Sequence, residues 1–266
     1  MTYQLDRETN ITPAGRGRWR ADVSPHWNIG ENPNGGYVAA LVLKSLLAEV
    51  PHPDPLSVTT HYLRPPRSGD ANLEVEAVRA GRRTSNATGR LIQDERPRLL
   101  MLATFGDLST AGDDRELTAN PPPDLPPPNE CVARASLEQG VHLPILDRVE
   151  AVVHPDIAQP GTLDEAEVRG WIRFGDGRPI DSLGLVLLAD AFPPSVFTRF
   201  GRIGWVPTLE LTVHVRRSPA PGWIKAHLVT TDLHNGLLIE DCRMWDENDR
   251  LVAQARQLAL LNPAPA

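Results

Sequence analysis

The chain has 266 residues, 41% of them hydrophobic, with 27 basic against 34 acidic side chains and a formal charge of −7. That length can bury one large core or two of about 130 residues each, and the acidic balance argues against a nucleic-acid or anionic-membrane partner unless a local basic patch opposes it. No such patch stands out, since "RAGRR" at 79–83 reads as a solvated strand end. Cys131 and Cys242 form no CxxC and no Cys/His cluster, so neither a zinc site nor a disulfide framework is expected, and a reducing cytosol fits.

In chain order, "MTYQLDRETN" carries no apolar h-region, and no stretch reaches the roughly 18 to 20 apolar residues that span a bilayer. A soluble, cytoplasmic protein is expected. "GRWRADVS" (17–24) reads as an opening strand. "GGYVAALVLKSLLAEV" (35–50) follows, a helix apolar on nearly all sides that starts on a glycine pair. After it come the strand-like "PLSVTTHYLRPP" (55–66) and three further strands, "NLEVEAVRA", "NATGRLIQD" and "PRLLMLATF". The acidic "TAGDDRELTANPPPDLPPPNE" (110–130) holds six prolines and reads as a linker. It divides the chain into 1–109, a linker of 110–135, and 136–266.

The second part repeats the order of the first. "EAEVRGWIRF" (165–174) opens it, "LGLVLLADAF" (183–192) is the apolar helix, and in "PTLELTVHVRRSP" (207–219) Leu209, Leu211, Val213 and Val215 alternate with polar residues. "WIKAHLVTT", "LLIEDCRMWD" and "RLVAQARQLALL" complete it. A helix apolar all round must be surrounded, and a curved antiparallel sheet wrapped about it achieves this.

Strand, buried helix and four strands, given twice, resemble the α+β hotdog fold duplicated in one chain. The resemblance is in particular to the double-hotdog, type II acyl-CoA thioesterases, over about residues 15–262 without the linker. Matching Gly184 with Gly36 sets Asp190 opposite Val42; matching Arg216 with Arg64 sets Thr208 opposite Leu56; Gln257 falls opposite Phe105. Gln257 shares strand parity with Leu251, Ala253 and Ala255 and should face the apolar side. The resemblance implies that Asp190, Thr208 and Gln257 hold and activate a water that hydrolyses acyl-CoA directly, without metal or redox cofactor. The carboxylate is expected within the apolar helix, its desolvation offset by donors or water. Gly35, Gly36 and Tyr37 are expected at the substrate, with the helix-start amides near Gly36 and Tyr37 polarising the thioester carbonyl. The resemblance also implies that two chains associate as a homodimer.

Other readings of the same residues stay open. Asp190 could be only a polar residue near a helix end stopped by Pro193 and Pro194, Thr208 an ordinary strand threonine, Gln257 a satisfied core amide, and the Gly35-Gly36 pair a close-packing device. His26 reads as structural or surface, His61 and His214 as solvent-facing or at a domain contact, and Trp205, Trp223 and Trp245 as core or groove lining. No GxSxG, GxxxxGK[ST] or GxGxxG occurs. A hotdog enoyl-CoA hydratase is disfavoured because "IGENPNGGY" offers Glu31 in the acidic place and no histidine after it. A non-catalytic acyl or acyl-CoA binding module is the rival of another class.

Overall fold

The computed structural model describes residues 2–110, 115–134 and 142–263; residues 111–114 and 135 of the expected linker lie outside them. The N-terminal half contains α1 (Gln4–Glu8), β1 (Ile11–Pro13), β2 (Arg18–Val23), the two-residue strands β3 (Asn28–Ile29) and β4 (Asn32–Pro33), and α2 (Gly35–Leu47). β5 (Asp54–Tyr62), β6 (Gly69–Ala80), β7 (Ser85–Gln93) and β8 (Arg96–Gly106) follow. The remainder holds β9 (Val132–Ala133), β10 (Val149–Val153), β11 (Glu167–Phe174), α3 (Ser182–Leu188), α4 (Val196–Phe200), β12 (Gly204–Trp205), β13 (Thr208–Val215), β14 (Ile224–His234), β15 (Leu237–Trp245), β16 (Leu251–Leu260) and β17 (Asn262–Pro263).

α2 begins where Asn34 caps it, the side-chain Oδ1 accepting the Tyr37 amide at 2.9 Å. An Ala/Val/Leu run without proline then carries it to Leu47. Residues 36–43, Ser45 and Leu46 are buried, and the hydroxyl of Ser45 is satisfied by donating to the Val42 carbonyl at 2.7 Å. α3 has the same design, with Asp181 Oδ1 accepting the Gly184 amide at 2.7 Å. It ends at Leu188, earlier than the run 183–192 indicates. Pro193 and Pro194 bias the preceding backbone away from helix, so Asp190 lies just beyond α3 and not within it.

Among the described residues one 13-stranded sheet runs β1-β2-β6-β7-β8-β5-β13-β16-β15-β14-β11-β10-β9, its neighbouring strands antiparallel. The halves meet at β5 and β13, where Val58 pairs with Val213 and the Thr59 and Thr212 hydroxyls stand 2.9 Å apart. α2 packs on β5 to β8, and α3 packs on α2, β5 and β13. The sheet ends in a strand of three residues at β1 and of two at β9. The proline-rich run lies along the outer face of the C-terminal half, where Trp171 Nε1 donates to the Pro126 carbonyl at 2.9 Å.

α1 ties the halves together. Glu8 accepts from Trp27 Nε1 at 2.7 Å and from Arg148 Nε at 3.0 Å, the Gln4 amide donates to Asp176 at 2.6 Å, and Arg178 donates to Asp6 at 2.9 Å. His26 joins this cluster, its Nδ1 2.8 Å from Glu8, while His61 and His214 are exposed. No described helix is long and apolar enough to cross a membrane.

Candidate active site

The start of α2 abuts the end of α3. A methyl group on Gly36 would collide with the Leu187 carbonyl oxygen, and one on Gly35 would lie 2.8 Å from Asp190 Oδ2 and 3.1 Å from the Tyr62 ring. The glycine pair therefore permits a helix start to approach a helix end at backbone distance. What the approach delivers is a seat for Asp190: the Gly36 amide donates to Oδ2 at 2.8 Å, and Asn34 Nδ2 donates to Oδ2 at 3.1 Å and to the Asp190 carbonyl at 2.7 Å. Asn34 thus caps α2 with its oxygen and holds Asp190 with its nitrogen.

This geometry changes the roles expected for the glycine corner. The Gly36 proton is given to Asp190 and the Tyr37 amide to Asn34, so these amides anchor protein groups and do not stand free for a carbonyl. The Tyr37 side chain is fully buried, stacked on Trp27 at 5.2 Å with its hydroxyl donating to the Glu8 carbonyl at 2.6 Å. Its place is in the core.

Thr208 and Gln257 meet directly, Thr208 Oγ1 donating to Gln257 Oε1 at 2.7 Å. Strict alternation would send Thr208 to the face opposite Leu211 and Val213. A register shift between Thr208 and Glu210 in the pairing with β16 breaks that alternation, as bulges beside functional sites do. Gln257 faces inward opposite Glu240, and its Nε2 donates to Glu240 Oε1 at 2.5 Å. Glu240, 2% exposed, takes two further bonds on Oε2, from the Ser195 amide at 2.6 Å and the Ser195 hydroxyl at 2.5 Å. The chain of bonds runs Thr208, Gln257, Glu240, Ser195.

Burial raises Asp190 to a pKa of about 7; the negative charge of Glu240 adds to the rise, while bonds from Gly36 and Asn34 oppose it. Glu240 is also raised, by burial, against the bonds from Ser195 and Gln257. Among the described residues no hydrogen bond joins Asp190 to Thr208 or Gln257; the Glu240 field links the two clusters. Tyr62 completes the surroundings. Its buried hydroxyl has no hydrogen-bond partner, and burial with the charges of Asp190 and Glu210 keeps the phenol neutral, far above its ordinary pKa.

Sequence reasoning missed Asn34, Tyr62, Ser195 and Glu240. Two left a signal: Asn34 directly precedes a glycine-led helix, a capping pattern, and Glu240 shares strand parity with Leu238, Cys242 and Met244, all buried. Ser195 follows two prolines in a loop and left none. Among the described residues no three His, Cys, Asp or Glu side chains stand together as metal ligands. A broad outer groove lined by Leu125, Pro127, Trp171, Arg173, Trp223 and Glu247 contains none of these site residues.

The fold has counterparts among known proteins. Residues 23–106 match the model of the acyl-CoA thioesterase N-terminal domain, and residues 122–261 that of the acyl-CoA thioesterase C-terminal domain. A structure from Thermobifida fusca YX described as a thioesterase II is 30% identical, with 98% of each chain covered and a TM-score of 0.89. A hot dog fold protein from Alicyclobacillus acidocaldarius is 23% identical over the full length of both chains, with a TM-score of 0.86, a likeness of fold. An uncharacterised protein of Mycobacterium tuberculosis is 26% identical over 275 residues, covering 91% of this chain and 90% of its own.

Proposed function

Because the chain belongs to the acyl-CoA thioesterase family, we propose that it hydrolyses acyl-CoA thioesters in the cytoplasm through a water held by Asp190, Thr208 and Gln257. The observation that carries this reading is Asp190 itself. A carboxylate raised to about 7 by burial, yet held by Gly36 and Asn34, is poised to take a proton near neutral pH. The Thr208–Gln257 pair supplies the second anchor.

In the reaction, the water oxygen attacks the thioester carbonyl carbon while Asp190 takes its proton. The tetrahedral intermediate then breaks its C–S bond, and the coenzyme A thiolate leaves with the proton Asp190 holds. A thiol with a pKa of roughly 8.5, that of free cysteine, leaves without a strong acid. The free carboxylic acid is the other product. No covalent intermediate with the protein forms. The division into lobes of 1–109 and 136–266 about the proline-rich linker, and the homodimer, belong to the same proposal.

The test is thiol release from a panel of short, medium, long and aromatic acyl-CoAs, with Asp190→Asn alongside. The variant should fold and lose at least about a hundredfold in kcat. Near-normal thiol release from Asp190→Asn would remove the mechanism.

A further inference from the structure

We propose that Glu240 is a positioning residue: by accepting from Gln257 Nε2 it fixes that amide the way round that makes Thr208 offer lone pairs, not its proton, to the attacking water. This rests on the water-holding role of Asp190, Thr208 and Gln257.

An amide side chain can sit in a site either way round, and its neighbours decide. In its ionised form Glu240 only accepts, and its Oε1, 2.5 Å from Gln257, then requires the NH2 group to face it. Gln257 Oε1 is thereby turned to Thr208, which gives it its one hydroxyl proton at 2.7 Å. A threonine hydroxyl has no second proton, so its remaining capacity is acceptance. A water bound there donates one hydrogen to Thr208 and the other to Asp190, which leaves its own lone pairs for the carbonyl carbon. With the amide reversed, Thr208 would donate to the water oxygen and occupy the electrons needed for attack.

Glu240 is itself held. Both Ser195 donors converge on Oε2, and the Ser195 hydroxyl stands 2.8 Å from that of Thr230. A buried carboxylate with three donors is a costly group that an apolar residue on this inward face would avoid, which is why a role beyond packing is assigned to it. The charged or titratable groups acting on Asp190 and its neighbours are Glu240 and Cys242 from β15, Tyr62 from β5, Glu210 from β13 and Asp241 beside Glu240.

Glu240→Gln tests the role with almost no change of volume. If the new side chain keeps its oxygen toward Ser195, its NH2 meets Gln257, forces that amide over and reverses the bond to Thr208. The expected result is a loss in kcat of about tenfold or more with KM changed less than about twofold. The acid limb of kcat against pH should also move down, because Asp190 loses a negative neighbour. Glu240→Asp keeps the charge but shortens the reach to Gln257, so kcat should fall while the acid limb stays in place. Thermal unfolding shows which variants are folded, and the aspartate variant carries the test if the glutamine variant is not. Wild-type kcat in a folded Glu240 variant overturns the proposal. Unimpaired turnover in Asp190→Asn would instead strike the underlying mechanism, so the two failures are distinguishable.

Discussion

Opposite Gln257 on the β15–β16 pair stands Glu240; opposite Phe105 on the β7–β8 pair stands Ser85, whose hydroxyl lies 2.8 Å from His52 Nδ1. Val42 and Phe105, the matches of Asp190 and Gln257, are fully buried among apolar neighbours. The C-terminal corner has an acid, a hydroxyl, an amide and a second acid where the N-terminal corner has mainly hydrocarbon. Two carboxylates persist there because each finds donors: Gly36 and Asn34 for Asp190, Ser195 and Gln257 for Glu240. The donors for Asp190 come from the other half of the chain. The apolar half thus contributes to the polar one, and the repeat has become a division of labour.

The sharpest way to break this comparison is to place a carboxylate where the donors are missing. Val42→Asp should cost about 3 kcal/mol or more of stability, read from the denaturant midpoint, and create no second activity. A variant as stable as the parent would show that the two corners differ less than their hydrogen bonds indicate. A smaller effect separates the matched glycines. Gly36→Ala drives a methyl group into the Leu187 carbonyl and should cost about 1 to 3 kcal/mol together with much of kcat. Gly184→Ala brings its methyl group to 3.1 Å from the Phe174 ring and 3.2 Å from Asp181, so its cost in the same unfolding assay should be under about 1 kcal/mol.

A separate test reads the pH dependence. Asp190 is raised from 3.8 to about 7 in the folded protein, so between those values the native state holds a proton that the unfolded chain has released. Stability contributed by this group is therefore fully present below about pH 4 and declines as pH rises through about 7. Asp190→Asn should flatten that part of the stability profile, measured as Tm across pH 4 to 8. Turnover should run the other way, rising through about pH 7 as the base form appears. An unchanged stability slope would mean that Asp190 is solvated as an ordinary surface carboxylate.

Much of this was legible in the amino acids. The repeat, both buried helices and the main strands follow from periodicity, because each helix must be surrounded and each strand has one apolar face. Asp190, Thr208 and Gln257 were visible as polar departures from that repeat. The inward aim of Thr208 was not, since it depends on a register shift between two strands far apart in sequence. The spent amide of Gly36 depends on how the helices abut, which neither helix encodes alone. The short β9 and β10 and the five-residue helices α1 and α4 carry too few residues for a periodic signal.

The strap formed by α1 has a consequence for the order of events during synthesis. Glu8 is made 140 residues ahead of its partner Arg148, and Gln4 is made 172 residues ahead of Asp176. At ribosomal speeds of about 5 to 20 residues per second, this short segment waits several seconds or more for the surface it docks on. Glu8 and Gln4 thus find these native neighbours long after they are made.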